Sequence, residues 1–250
     1  EEVLARLLSL YKQESYIKRV LYTYNVSESD LAIRLTHFED ELPASFSLAY
    51  LPEGGVIRLR LATRGDHNAA QLEELWHALK KIVGNNLLVE AEEALEEVLI
   101  NVLKTKQLSL SLAESCSGGY IAHLLTSIPG TSSFFRGGVV SYANSAKTNL
   151  LHVSEASLKE HGAVSQQVVE EMARGAVSAF NSTCAIAVSG IAGPSGGSDE
   201  KPVGTVWIAT IHNGKIVSKR SKSGKLRENN IRRSAVMGIA QLLTMLLHGD

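Results

Sequence analysis

Ala113-Glu114-Ser115-Cys116-Ser117-Gly118-Gly119 is the stretch on which the reading of this chain turns. Ahead of it, residues 108–113, leucine-rich and without a charge, have the length of a short buried strand. The chain then turns through small residues and is predicted to open a helix at about Gly118. At such a turn the first main-chain N–H groups of the helix have no intrahelical acceptor, so they suit an anion or a developing oxyanion. Outward from this turn, strand and helix signals alternate. The helix over 118–127 is stopped by Pro129-Gly130, 137–142 reads as a strand, and 143–151 as a helix. Helices over 154–161 and 165–180 each begin with a serine cap, and 184–189 is a buried strand. Residues 203–211 and 215–221 pair as a hairpin around His212-Asn213-Gly214, and 231–247 is the closing helix. This alternation predicts an α/β sandwich with helices on the faces of a central sheet, over residues 87–250.

The first 86 residues pattern differently. Residues 1–13 carry Val3, Leu4, Leu7, Leu8 and Tyr11 on one helical face, and 17–25 is rich in strand formers. Ser27 caps a helix that runs to about Phe38, with Asp30 three residues on. Strands over 46–51 and 56–62 flank Pro52-Glu53-Gly54-Gly55, and 68–83 is an amphipathic helix with Leu72, Leu75, Trp76, Leu79 and Ile82 inward. The order β-α-β-β-α predicts a small α+β domain over 1–86, KH-like in shape but without the Gly-x-x-Gly loop that clamps nucleotide backbones. Arg58, Arg60 and Arg64 read as a solvated sheet face. Residues 87–105 read as mostly helical, acidic at the start through Glu90, Glu92 and Glu93.

With 250 residues, 44% hydrophobic and a net charge of −1, the chain has the material for two domains and lacks the basic excess of a nucleic-acid binder. It holds no apolar run long enough to cross a membrane, and its two cysteines, Cys116 and Cys184, fit reduced thiols in the cytoplasm rather than a disulfide framework. It begins at Glu1 rather than Met and reads as a piece of something longer. No histidine shares a ligand spacing with another His, Cys or carboxylate, so no catalytic metal is expected.

Among residues able to do chemistry, Ser115 and Lys147 are the sharpest pair. A serine hydroxyl needs a base to take its proton, and a lysine serves only when unprotonated, which burial or a helix N-terminus favours. Tyr142, at the end of its strand, is placed to relay a proton or hold the lysine. Spacing alone does not separate this pair from an ordinary surface lysine beside a tight turn. Cys116 is the rival nucleophile or a packed small residue under the turn. Glu114 either orients a polar partner or caps the helix. A glycine cluster, Ser189-Gly190-Ile191-Ala192-Gly193-Pro194, starts at a strand end, where open α/β sheets place ligands. Arg227, Arg232 and Arg233, around the start of the last helix, are candidates for a phosphate.

Five blocks, 113–119, 135–147, 161–165, 188–198 and 201–206, together resemble the C-terminal domain of the CinA family of competence/damage-inducible proteins. The first 86 residues resemble, more weakly, the KH-type domain that precedes it in full-length members. Stand-alone versions of the domain are nicotinamide-mononucleotide (NMN) amidohydrolases. The resemblance implies hydrolysis of the carboxamide of NMN to nicotinic acid mononucleotide and ammonia, without a cofactor, by a homodimer. It makes Ser115 the nucleophile, Lys147 the base and Tyr142 a supporting donor. Ser117, Gly118, Gly119, Ser189, Gly190, Gly193 and Arg227 become substrate-binding, with the N–H groups of Ser117 to Gly119 as the oxyanion hole. The alternative is a non-catalytic nucleotide-binding or regulatory domain of a competence/damage-inducible protein.

Overall fold

In the computed structural model, which describes residues 15–249, the chain divides into two units: residues up to 52 with 56–92, and residues 53–55 with those from 93 on. The helix expected over 1–13 lies outside the described residues.

The first unit holds a four-stranded sheet of β1 (Tyr16–Thr23), β2 (Phe46–Glu53), β3 (Val56–Arg64) and β4 (Leu87–Glu90), in the order β2-β3-β1-β4. Helices α1 (Glu28–Asp40) and α2 (Ala69–Val83) supply Leu31, Leu35, Phe38, Leu72, Trp76 and Leu79 to a core with Leu21, Leu59 and Leu61. Ser27 caps α1, accepting from the Asp30 N–H at 3.1 Å. One reading fails here. Leu87–Glu90 is not helical; it is β4, antiparallel to β1, with Tyr22 opposite Val89. Its acidic residues suggested a helix start, but Glu90 instead ties β4 to α2, accepting from Trp76 Nε1 at 2.9 Å and Lys80 Nζ at 2.8 Å. The helix begins later, as α3 (Leu95–Thr105).

In the second unit β5 (Leu110–Glu114), β6 (Phe135–Val140), β7 (Cys184–Gly190), β8 (Thr205–His212) and β9 (Lys215–Lys222) form one sheet in the order β6-β5-β7-β8-β9. β5 runs parallel to β6 and β7; β8 and β9 are antiparallel additions joined by the Asn213-Gly214 turn. The helices are α4 (Tyr120–Thr126), α5 (Asn144–Leu151), α6 (Glu155–His161), α7 (Gln166–Phe180) and α8 (Arg227–His248), with α8 starting four residues before the expected position. Together the two units make the mixed α/β architecture that the pattern predicts.

Strand alternation sorts the sheet's faces. Ala113, Ala185, Ala187, Ala209 and Ile211 pack with Val168, Val169, Met172, Ala173 and Ala176 of α7 and with Leu151 of α5. The even positions face α8: a Cβ at Gly238 would meet Ile186 at 2.9 Å and Ile208 and Ile121 at 3.8 Å. α5 lies close on α7 because Gly175 has no side chain; a Cβ there would come within 2.1 Å of the Leu151 carbonyl oxygen. Backbone cannot yield cheaply, so Gly175→Ala is expected to destabilise by about 2 kcal/mol or more, in the range of overpacked cores. Chemical denaturation checks it; an unchanged midpoint would mean that α5 and α7 separate at little cost.

Candidate active site

Three parallel strands end side by side. Val140 of β6 and Val188 of β7 both stand opposite Glu114 of β5, so Ser141, Ser115 and Ser189 are the next residue on each chain. The pairing continues past the strand ends, with the Ser115 N–H donating to Val188 O at 2.9 Å and the Ser141 N–H to Glu114 O at 2.8 Å. This row lies at the carboxyl edge of the parallel strands, where α/β sheets place their ligands.

Ser115 and Lys147 meet there. Lys147 lies in the first turn of α5 and is 1% exposed. Its Nζ donates to Ser115 Oγ at 3.1 Å, to Ser141 O at 2.6 Å and to Tyr142 O at 3.4 Å. Among the described residues no carboxylate pairs with it. Burial disfavours the ammonium and holds the lysine below its ordinary pKa, the condition for a base. Ser141, whose carbonyl makes the shortest of these contacts, is a site residue that the sequence reading missed. Its signal was position alone, one residue past a parallel strand.

Glu114 caps the helix. The side chain is 1% exposed, and its carboxylate accepts from the N–H groups of Gly119 and Ile121 at 3.1 Å and of Ala122 at 2.9 Å. Gly118 and Gly119, at φ +63° and +97°, turn the chain sharply enough to bring the start of α4 back under its own strand, a path that side chains with a Cβ disfavour. The capping shifts the expected donors by one residue. Gly119 N–H is taken by Glu114, and Gly118 N–H donates to Ser115 O at 3.1 Å. Of the trio first read as an oxyanion hole, only Ser117 N–H has no oxygen acceptor among the described residues, and Cys116 N–H joins it. The Ser117 hydroxyl is buried and also has no partner there.

Cys116 makes no side-chain hydrogen bond to Ser115 or Lys147. Burial pushes its thiol up to about 12, which makes it a poor nucleophile, and a Cβ at Gly190 would press on its sulfur at 3.0 Å. Tyr142 is 61% exposed, and its hydroxyl accepts from Arg227 Nη2 at 3.0 Å; only its carbonyl touches Lys147. The other arm of Arg227 donates to Gly193 O at 2.8 Å, so the guanidinium bridges Tyr142 and the glycine-rich loop. Arg232 and Arg233 lie further along α8. Ser189 does not leave its hydroxyl open: it donates to Ala163 O at 2.7 Å. Asn230, 1% exposed, was not anticipated; its amide donates to Ala192 O and Gly224 O, both at 2.9 Å, and fixes the loop to the start of α8.

A buried amine on a strand-end hydroxyl, beside two open N–H groups, can perform acyl transfer. The comparisons with known proteins agree on the family. The model of the CinA C-terminal domain matches residues 92–246. This chain belongs to the CinA C-terminal domain family. A CinA-like protein of Cytophaga hutchinsonii is 38% identical over 239 residues, covering 92% of this chain and 56% of the relative. Another from Flavobacterium psychrophilum is 38% identical over 250 residues, covering 98% and 60%. The chain thus spans little more than half the length of those relatives. Of the solved structures, the competence/damage-inducible protein CihA of Agrobacterium tumefaciens is 40% identical, with a TM-score of 0.58 over 61% of this chain and 93% of its own. A CinA superfamily protein of Klebsiella pneumoniae is 34% identical, with a TM-score of 0.60 over 62% and 99%. Among the described residues no helix is long and apolar enough to cross a membrane.

Glu114→Ala would strand three N–H groups under α4. We expect a loss of about 2–4 kcal/mol, since bonds to a charged acceptor are worth more than neutral ones. Urea unfolding at neutral pH measures it, and a loss below about 0.5 kcal/mol would mean that water replaces the carboxylate.

Proposed function

We propose that this CinA-family chain hydrolyses the carboxamide of nicotinamide mononucleotide to nicotinic acid mononucleotide and ammonia. The observation that carries the reading is the 3.1 Å contact between a fully buried lysine amine and the Ser115 hydroxyl. Neutral Lys147 takes the hydroxyl proton as Ser115 Oγ attacks the carboxamide carbon. The oxygen of the tetrahedral intermediate lies toward Cys116 N–H and Ser117 N–H, donors of the kind that follow a nucleophile at a strand-to-helix turn. Lys147 returns the proton to the leaving nitrogen, and ammonia departs. Water then attacks the acyl-enzyme, Lys147 takes its proton and passes it to Ser115 Oγ as the acyl–oxygen bond breaks, and the acid is released. The Ser141 carbonyl fixes the amine while it exchanges protons with Ser115.

Arg227 supports the choice of an anionic substrate. It is the cation at the mouth of the site, bonded to neutral acceptors on Tyr142 and Gly193, and among the described residues no carboxylate neutralises it. Its fork suits a phosphate. The glycine-rich loop with Gly190 and Gly193 forms the adjoining wall, and Tyr142 acts by positioning Arg227. We assign the chain no metal or other cofactor, a cytoplasmic location and a homodimeric state, in keeping with the family resemblance.

Ser115→Ala and Lys147→Ala should each lower ammonia release from NMN by about a thousandfold or more with an unchanged fold, because serine and base act as one unit. Cys116→Ala should retain most of the activity. Full turnover by Ser115→Ala would exclude the serine mechanism. Because activity needs the unprotonated amine, kcat/KM should rise with pH along a limb set by Lys147. That limb should level off below the ordinary lysine value of about 10.4. A rate still climbing through that value would mean that the amine is not held neutral.

A further inference from the structure

On the α7 face of the second unit, β8 and β9 carry a cleft beyond the serine row. Its volume is about 370 Å³, and His161, Ser165, Lys201, Trp207 and Arg220 are among its lining. Register shows how it lies. Ser189 stands opposite Trp207, and Trp207 opposite Arg220, so the three side chains share one face of the sheet. Two hydrogen bonds fix the edge of this cleft nearest the serine row. Ser189 Oγ donates to Ala163 O at 2.7 Å, and Lys201 Nζ donates to His161 O at 2.6 Å. The loop 161–164 is thereby stitched both to the end of β7 and to the segment before β8.

The chemistry of the lining is that of a receptor for a flat anion. Lys201 is half-buried and spends one of its three donors on a carbonyl; Arg220 spends one arm on Glu200 O at 2.9 Å. Among the described residues neither cation has a carboxylate partner. The half-buried Trp207 ring contributes a planar apolar surface. Ser165 caps the 15-residue α7, accepting from the Val168 N–H, which leaves the Gln166 and Gln167 N–H groups without intrahelical acceptors on the same cleft. Glu200 is the opposing charge, exposed on the rim. The volume lies within the range of small-molecule sites.

We propose that this cleft is a second ligand site, separate from the Ser115 centre, that takes a nucleoside 5′-monophosphate, with the base against Trp207 and the phosphate on Lys201, Arg220 and the start of α7. Its floor is coupled to the catalytic row through covalent neighbours: Ser189 is tied to the loop that the ligand would touch, and the preceding Val188 carbonyl holds the Ser115 N–H.

The test reads binding, not turnover. Adenosine 5′-monophosphate is titrated into the full chain by calorimetry and by quenching of indole fluorescence, with Trp207→Phe removing the responding ring. Arg220→Gln, at an exposed side chain, and Lys201→Ala should each weaken binding about tenfold, the worth of one charge-assisted bond. Glu200→Gln should tighten it. Arg227→Gln, at the cation assigned to the substrate phosphate of the Ser115 site and outside the cleft, should leave the affinity within about twofold. No binding at millimolar nucleotide, a tenfold loss of affinity in Arg227→Gln, or affinity unmoved in both cleft cation variants would each overturn the proposal. Ribose 5-phosphate binding as tightly as the nucleotide would overturn the role given to Trp207. Because every readout is of binding, a chain inactive on NMN would still decide it.

Discussion

The site depends on an amine kept dry without a counter-ion. An ammonium removed from water costs several kcal/mol unless it is paired, so a lysine that is 1% exposed with only neutral acceptors is driven toward its uncharged form. The acceptors are well chosen for that state. Two carbonyls, at 2.6 Å and 3.4 Å, can take the two N–H groups of the neutral amine and leave its lone pair to the hydroxyl at 3.1 Å, without stabilising a full charge as a carboxylate would. Everything that positions this amine therefore acts on reactivity: the close approach of α5 to α7 at Gly175, the extension of β6 to Ser141, and the packing of Leu151.

A carboxylate is nevertheless next in sequence to Ser115, and the fold keeps it out of the way. Glu114 and Ser115 are neighbours on a strand, so their side chains leave by opposite faces. Ser115 meets Lys147 on the α7 side, while Glu114 goes to the α4 side and binds three N–H groups. Had the acid and the amine shared a face, they would have formed a salt bridge and held the lysine charged. The period-two alternation of β5 thus sends the Glu114 carboxylate to one face and the Ser115 hydroxyl, with the Lys147 amine, to the other. The capping also leaves Cys116 N–H and Ser117 N–H as the open donors.

Local pattern carried far where local forces decide structure. The serine caps of α1, α6 and α7, the Asn213-Gly214 turn and the strand runs were legible because propensity and hydrophobic period agree there. The reading failed at Leu87–Glu90. Four residues with flanking acids do not announce a strand, and only the free edge of β1 makes them one. Ser189 and Tyr142 were named correctly as residues of the strand ends, but a hydroxyl's partner cannot be read from its position in a chain. Ser189 turned to Ala163, and Tyr142 to Arg227.

By itself the sequence determined the residue types at the strand-to-helix turn, the alternation of strands and helices in the second unit, and the family to which its motif blocks belong. These follow from composition and short-range periodicity, which the chain carries in one dimension. Tertiary structure alone decided that Lys147 is buried on Ser115 rather than solvated, that Glu114 caps α4, and that Arg227 spans to Tyr142 across 85 positions. Protonation state and hydrogen-bond partner are set by what excludes water around a group. That exclusion arises only when strands distant in sequence are laid side by side.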